Sequence, residues 1–266
     1  TSLFVANTHT QLLFFTTDGM AYKLKTWRLP QGGRTSKGKA VVNILPIPTG
    51  VSIAAIMPVD IPEEDWENVQ IIFATSAGDV RRNALSDFTN VRANGKIAMD
   101  LPDNVALVNA RIATQDDDVM LVTKSGRAIR FSTNAVRVFK GRKSTGVRGV
   151  RLTGDDCVVS MSILRHFEAS SDERAAYLKM RRAVAGMVDD EGAGTEDEEV
   201  SANATISPER YAEMSAAENL ILTISSRGSG KLSSSHDYPV RGRGGMGVAA
   251  MDKAMRGGDL VASFPV

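Results

Sequence analysis

Cysteine, histidine and long apolar runs are what this sequence has least of. Its one cysteine, Cys157, excludes an internal disulfide and is expected to be buried and inert. The histidines, His9, His166 and His236, stand singly without metal-ligand spacing, so neither a metal nor another cofactor is expected. No stretch approaches eighteen consecutive apolar residues, and Thr1-Ser2-Leu3-Phe4 lacks the charged-then-apolar order of an export signal. The chain therefore reads as cytoplasmic, with no membrane partner. Catalytic groupings are missing too: there is no Ser/His/Asp constellation, no carboxylate pair outside the repeats described below, and no shared setting for Tyr22, Tyr177, Tyr211 and Tyr238. Asp116-Asp117-Asp118 reads as a turn before a strand. An enzyme is not expected. Hydrophobic residues make up 42% of the 266, enough for one large all-β domain or two ordinary ones.

Charge is missing from the total but not from the parts. The formal net charge is +1, yet between His166 and Glu218 five lysines and arginines face thirteen acids, a net of −8. Elsewhere 27 basic and 18 acidic side chains leave a net of +9. A basic body of this kind attracts polyanions.

What is present is repetition. Four times an apolar run enters a glycine turn and leaves through a second run with basic residues, at Leu12–Lys23, Ile71–Arg82, Val119–Arg130 and Leu220–Lys231. Apolar runs on both sides of a glycine able to take φ > 0 are the signal of a β-hairpin. Each turn glycine (Gly19, Gly78, Gly126, Gly228) is followed 17 to 20 residues later by a second glycine beside basic residues: Gly38, Gly95, Gly146 and Gly247. A third strand is then expected at Ala40–Leu45, Ile97–Leu101, Val147–Leu152 and Val248–Met251. A fourth is expected at Val51–Val59, Val105–Ala113, Cys157–Leu164 and Leu260–Val266. Four strands in about fifty residues describe a propeller-like blade, which buries its faces only by stacking on its neighbours. The fold class is all-β, with repeat units over about 3–59, 70–113, 118–164 and 219–266.

The third and fourth turn glycines are 102 apart, against 59 and 48 for the other intervals, because an acidic insert of roughly 165–218 intervenes. Ser170-Ser171-Asp172-Glu173 predicts a capping box and a helix to Ala185, and Ser207-Pro208-Glu209 predicts a second helix to about Ala217. Asp189–Glu199, rich in acids and glycine, reads as a mobile linker able to compete with a polyanion for basic residues.

Arg241-Gly242-Arg243-Gly244-Gly245-Met246-Gly247 satisfies G-x-G-x-x-G, the dinucleotide fingerprint. Its equivalence to three corners without that pattern, the preceding Pro239 and the missing βαβ context argue against a cofactor loop. The alternative is a corner where slim glycines let phosphates pass while Arg241 and Arg243 face them. Basic residues recur at such positions: Arg28, Arg34, Lys37 and Lys39; Arg81, Arg82, Arg92 and Lys96; Arg127, Arg130, Arg137, Lys140, Arg142, Lys143, Arg148 and Arg151; Arg227, Lys231, Arg241 and Arg243. In a radial array these would lie on one rim and hold the phosphates of double-stranded DNA with little base readout. A protein-binding propeller scaffold is the alternative from another class.

Four segments, Phe4–His9, Val41–Pro46, Ile56–Val59 and Ser144–Val150, are similar to segments of the C-terminal DNA-wrapping domain of DNA gyrase A. That resemblance covers nearly the whole chain outside the insert, which itself resembles a longer form of the domain. It implies a β-pinwheel of four-stranded blades, non-catalytic by itself, wrapping DNA in support of ATP-dependent negative supercoiling. It also implies partnership with the rest of gyrase A and, through it, gyrase B, in the cytoplasm at the nucleoid. The related C-terminal domain of topoisomerase IV is the alternative within the class. The family's box, Gln-Arg-Arg-Gly-Gly-Lys-Gly, is matched at Arg243, Gly244, Gly245 and Gly247 but not at Gly242 or Met246, which makes 241–247 a degenerate box-like loop. The chain opens after the family's first-blade box and holds four units where the family has six, which implies part of that domain.

Overall fold

The computed structural model describes residues 3–141, 144–184 and 204–266. The expected linker at Asp189–Glu199, and with it Arg142 and Lys143, lies outside them. In chain order the described strands and helices are β1 (Gln11–Thr16), β2 (Met20–Lys25), β3 (Ile53–Val59), β4 (Gln70–Thr75), β5 (Asp79–Ala84), β6 (Lys96–Ile97), β7 (Leu107–Ala113), β8 (Asp117–Thr123), β9 (Arg127–Ser132), β10 (Val138–Phe139), β11 (Val147–Arg148), β12 (Val158–Arg165), α1 (Ser171–Val184), α2 (Pro208–Ala217), β13 (Leu220–Ser225), β14 (Gly230–Ser234), β15 (Val248–Ala249), α3 (Lys253–Arg256) and β16 (Leu260–Pro265). They form two compact units, Thr1–Thr114 with Val136–Arg148, and Gln115–Ala135 with Gly149–Val266.

All four expected hairpins are present, β1–β2, β4–β5, β8–β9 and β13–β14, and the return strands β3, β7, β12 and β16 pair antiparallel with the first strand of each. The turn glycines sit at φ +81°, +86°, +95° and +84°, where a Cβ is strained. A hydroxyl also closes the turn in three repeats: the Thr75, Thr123 and Ser225 side chains each accept, at 3.2 Å, from the amide four residues on. The register slips at one equivalent place in every repeat, beside Thr16, Thr75, Thr123 and Ser225, so a β-bulge is part of the repeat.

The third strand departs from expectation. β6, β11 and β15 are two residues long, and each pairs with the second strand of the preceding hairpin, in the registers Lys96 to Ala21, Val147 to Val80 and Val248 to Ala128. A blade thus holds the hairpin and return strand of one repeat and a short strand of the next. The Ala40–Leu45 strand does not form. Without a preceding hairpin among these residues to supply a ladder, Val41–Asn43 closes into a 3₁₀ turn.

The strand orders in the first unit are β3-β1-β2-β6 and β10-β5-β4-β7, with β11 also on β5. Its core joins Leu13, Phe15, Ile71, Phe73, Trp66, Leu85 and Phe88. The Phe15 ring meets Phe73 and Phe88 edge-on at 5.3 and 5.4 Å. Each such ring contributes about 1.5–3 kcal/mol of burial. Apolar runs such as Leu12–Phe15 read without alternation because both faces of these strands are covered.

The second unit has the orders β12-β8-β9-β15 and β14-β13-β16 over a core containing Met120, Val122, Leu164, Ile221, Tyr238 and Leu260. The insert contributes α1 and α2. Its capping box is reciprocal: the Glu173 amide donates to Ser170 Oγ at 3.1 Å, and the Ser170 amide donates to Glu173 Oε2 at 2.8 Å. Ser207 caps α2 by accepting from the Arg210 amide at 3.1 Å, with Pro208 in the first turn. Tyr177 of α1 packs on the buried His236 ring, centroids 4.9 Å apart, while His236 Nε2 donates to the Met214 carbonyl of α2 at 2.9 Å. Cys157 is half-buried, more open than its residue type suggested.

Candidate nucleic-acid interface

The second glycines all have positive φ, +58° at Gly38, +85° at Gly95, +96° at Gly146 and +72° at Gly247. What two of them admit is not a ligand. A Cβ on Gly146 would overlap the Val80 carbonyl oxygen, and one on Gly247 would overlap that of Ala128. Both carbonyls belong to the strand that receives β11 or β15. These glycines let the short strand lie against the preceding hairpin, which corrects the expectation that they are slim for passing phosphates.

The corner so anchored carries cations outward. In the second unit, the loop 241–247 is tied down by Arg241 N to Arg130 O at 2.9 Å, Gly244 N to Gly149 O at 2.6 Å and Arg151 N to Gly245 O at 2.8 Å. Arg243 is exposed and donates Nε to Ala135 O at 2.9 Å, Arg241 is half-buried, and Arg151 is exposed. In the first unit, the corner between β10 and β11 exposes Arg137, Lys140 and Arg148, with the Arg137 guanidinium 4.4 Å from the Phe139 ring centroid. The corner before β6 holds exposed Arg92 and half-buried Lys96, whose Nζ donates to Asp87 O at 2.6 Å. Arg28, Arg34, Lys37 and Lys39 are exposed in the segment between β2 and β3, and Arg28 lies over the Trp27 ring at 5.2 Å. At the hairpin turns and beyond, Arg127 and Arg227 are exposed and Lys231 is half-buried.

Three expected contact residues are inside the protein. Arg81 is wholly buried and donates to the Ser144 carbonyl at 2.7 Å and to that of Gly141, while Asn83 Nδ2 donates to Phe139 O at 3.1 Å. Arg81 therefore positions the corner from beneath. Arg130, 4% exposed, donates to Asp118 at 2.8 Å and to the carbonyls of Ser235 and Arg165 at 2.9 and 3.0 Å. Burial depresses its pKa and the Asp118 charge opposes that. Asp118 also bonds His166 Nδ1 at 2.8 Å, so it is a buried counter-ion at the start of β8, where a plain turn was expected. Arg82 is 7% exposed, with Nε and Nη1 lacking a hydrogen-bond partner, and burial lowers its pKa. β5 and β9 are covered on both faces, so the basic residues opposite Ile72, Phe73 and Met120 in the ladders are buried with their neighbours. Cations outside the expected set include Arg111, Lys124 and Lys253, all exposed, and half-buried Arg256.

Among the described residues, no group of three or more His, Cys, Asp or Glu could hold a metal, and no helix is long and apolar enough to cross a membrane. Hairpin blades, the first three completed by a short strand from the following repeat, define an all-β pinwheel of the propeller class with a helical insert. The chain belongs to the family described as "DNA gyrase C-terminal domain, beta-propeller", which it matches at 10–60, 70–114, 117–165 and 219–264, the four repeats without the insert. It is 47% identical over its whole length to the DNA gyrase A protein of Granulibacter bethesdensis and 39% identical to that of Rickettsia bellii, spanning 30% and 29% of those proteins. Its fold is similar to a crystal structure of the C-terminal domain of DNA topoisomerase IV, with TM-score 0.68, 20% identity and coverage of 98% of this chain and 65% of that one.

Proposed function

We propose that this chain is a non-catalytic module of DNA gyrase that binds duplex DNA on the exposed basic corners of its blades. It bends the duplex around them and so supports ATP-dependent negative supercoiling by the whole enzyme. Its partners are then DNA, the remainder of gyrase A and, through it, gyrase B, in the cytoplasm. The observation that carries this reading is membership of the gyrase family by a chain whose corner cations, Arg92, Arg137, Lys140, Arg148, Arg151 and Arg243 among them, point to solvent. Phosphate contacts by lysine and arginine supply affinity without base readout, and together they offset the several kcal/mol that bending costs. The gyrase reading stands ahead of topoisomerase IV because relatives 47% and 39% identical along the whole chain are gyrase A proteins, whereas the topoisomerase IV likeness is one of fold.

Duplex DNA titrated from low to high salt tests it. Log affinity should fall linearly with log salt, with a slope of several units. Replacing Arg241 and Arg243 with alanine should lower affinity and slope without unfolding the domain. Relaxing closed-circular DNA in the presence of the chain then reads the wrapping as a change in linking number. A flat salt response, or no binding at low salt, rules out the DNA-binding reading.

A further inference from the structure

Three cations of the second unit meet at the β8–β9 turn. Arg256 of α3 lays its guanidinium on the turn, with Nη1 3.3 Å from the Lys124 carbonyl and 2.8 Å from where a Cβ of Gly126 would stand. Arg127 leaves the same turn, with Nη1 3.4 Å from the Gly247 carbonyl, and the Lys124 ammonium is 3.4 Å from Asp259. The fourth hairpin's turn supplies another cation: the stem of Arg227 runs along Gly257 and Gly258, 3.6 and 3.2 Å from where their Cβ atoms would stand.

Their hydrogen bonding is sparse. Among the described residues, Asp259 is the one carboxylate in ion-pair reach of these four cations. Within the described residues, Arg127 and Arg256 each make one long bond to a carbonyl, and Arg227 makes none. Gathering unneutralised like charges costs energy that a bound polyanion would return. The remaining guanidinium donors are forks suited to phosphate oxygens.

We infer that Lys124, Arg127, Arg227 and Arg256 form one phosphate-binding cluster, the place where a duplex backbone crosses the turn ends of the third and fourth hairpins. This rests on the DNA reading and adds to it a location away from the corner loop at 241–247, and two residues, Lys124 and Arg256, outside the expected set.

The test is salt-dependent binding of a duplex to this chain and its variants. Arg227→Gln, which removes a side chain with no bond among the described residues, should lower the log–log slope by about 1. Arg227→Gln with Arg256→Gln should lower it by about 2 and weaken binding several-fold at low salt. Arg256→Lys, which keeps the charge, should restore the slope of the parent it is made in. Steep parental binding with an unchanged slope in Arg227→Gln and in the double variant overturns the cluster and leaves the DNA reading intact. A flat slope in the parent itself overturns both.

Discussion

The arginines of the insert and those of the hairpin turns carry the same charge into different surroundings. Arg210 of α2 bonds Glu173 at 2.8 Å, Glu213 at 2.9 Å and the Glu168 carbonyl at 2.7 Å, and stacks 4.9 Å from the Phe167 ring centroid. Arg181 of α1 is 3.0 Å from Glu218. Arg227 and Arg256, in the same unit, face no carboxylate within ion-pair distance among the described residues. Arg181 and Arg210 tie α1 to α2 and its C-cap, and the carboxylates they bond offset their charge on the spot. At the turns the field is left standing, and fields are what draw a polyanion. Net charge of +1 for the chain says nothing of this, because it sums a stretch of net −8 with a remainder of net +9.

Removing a neutralised arginine should therefore cost fold and spare DNA binding, and the buried one gives the largest effect. Arg130→Ala leaves Asp118, which is 0% exposed, bonded to His166 Nδ1 but without its guanidinium. Stranding one member of a buried pair costs about 3–5 kcal/mol. Urea unfolding should show that loss at neutral pH, with the salt slope of DNA binding unchanged in whatever fraction stays folded. A normally stable Arg130→Ala with a reduced slope would make Arg130 a contact and dissolve the distinction. Arg210→Ala should shift the urea midpoint by only a small part of that, because solvent reaches the guanidinium and screens its pairs. Its DNA slope should match the parent's, in contrast to Arg227→Gln.

Much of this architecture was legible in the residues, and the exceptions share a cause. Hairpins, return strands and both insert helices follow from local patterns: apolar runs, turn glycines and Ser-x-x-Glu or Ser-Pro starts. Three of the short strands were found at the right place but assigned to the wrong sheet, because pairing partners about 67 to 77 residues apart, or about 120 where the insert intervenes, leave no mark in local periodicity. The same blindness put Arg81 and Arg130 on the outside. A basic residue after a glycine turn looks solvent-facing until the strand delivered by the next repeat covers it. Gly146 and Gly247 were the overlooked clue, since a glycine that must touch another strand's carbonyl reports a close neighbour. For the candidate interface, the corner cations were legible as a class, whereas Arg256 was not, because the four-residue helix that brings it to Gly126 has no counterpart in the other repeats.

The smallest expected effect concerns protons, and it separates the two regions again. His236 is 3% exposed beneath α1 and α2, and burial pushes its pKa below the ordinary 6.5, helped by Arg130 and opposed by the Met214 carbonyl, Glu218 and Asp237. A histidine held neutral by folding binds its proton more readily in the unfolded chain. Its contribution to stability is therefore complete above pH 6.5 and is lost as pH falls below that value toward the folded-state pKa. The melting temperature should drop between about pH 7.5 and 5.5, and His236→Gln, which can still donate to Met214, should flatten that dependence. DNA binding through the turn and corner arginines should keep its salt slope between about pH 7.5 and 6.5, because guanidinium does not titrate there. An equal pH dependence in His236→Gln would move the titration to another group, and a slope that changes over this range would mean that the proton-sensitive insert and the DNA-facing turns are not the independent regions their charge pairing describes.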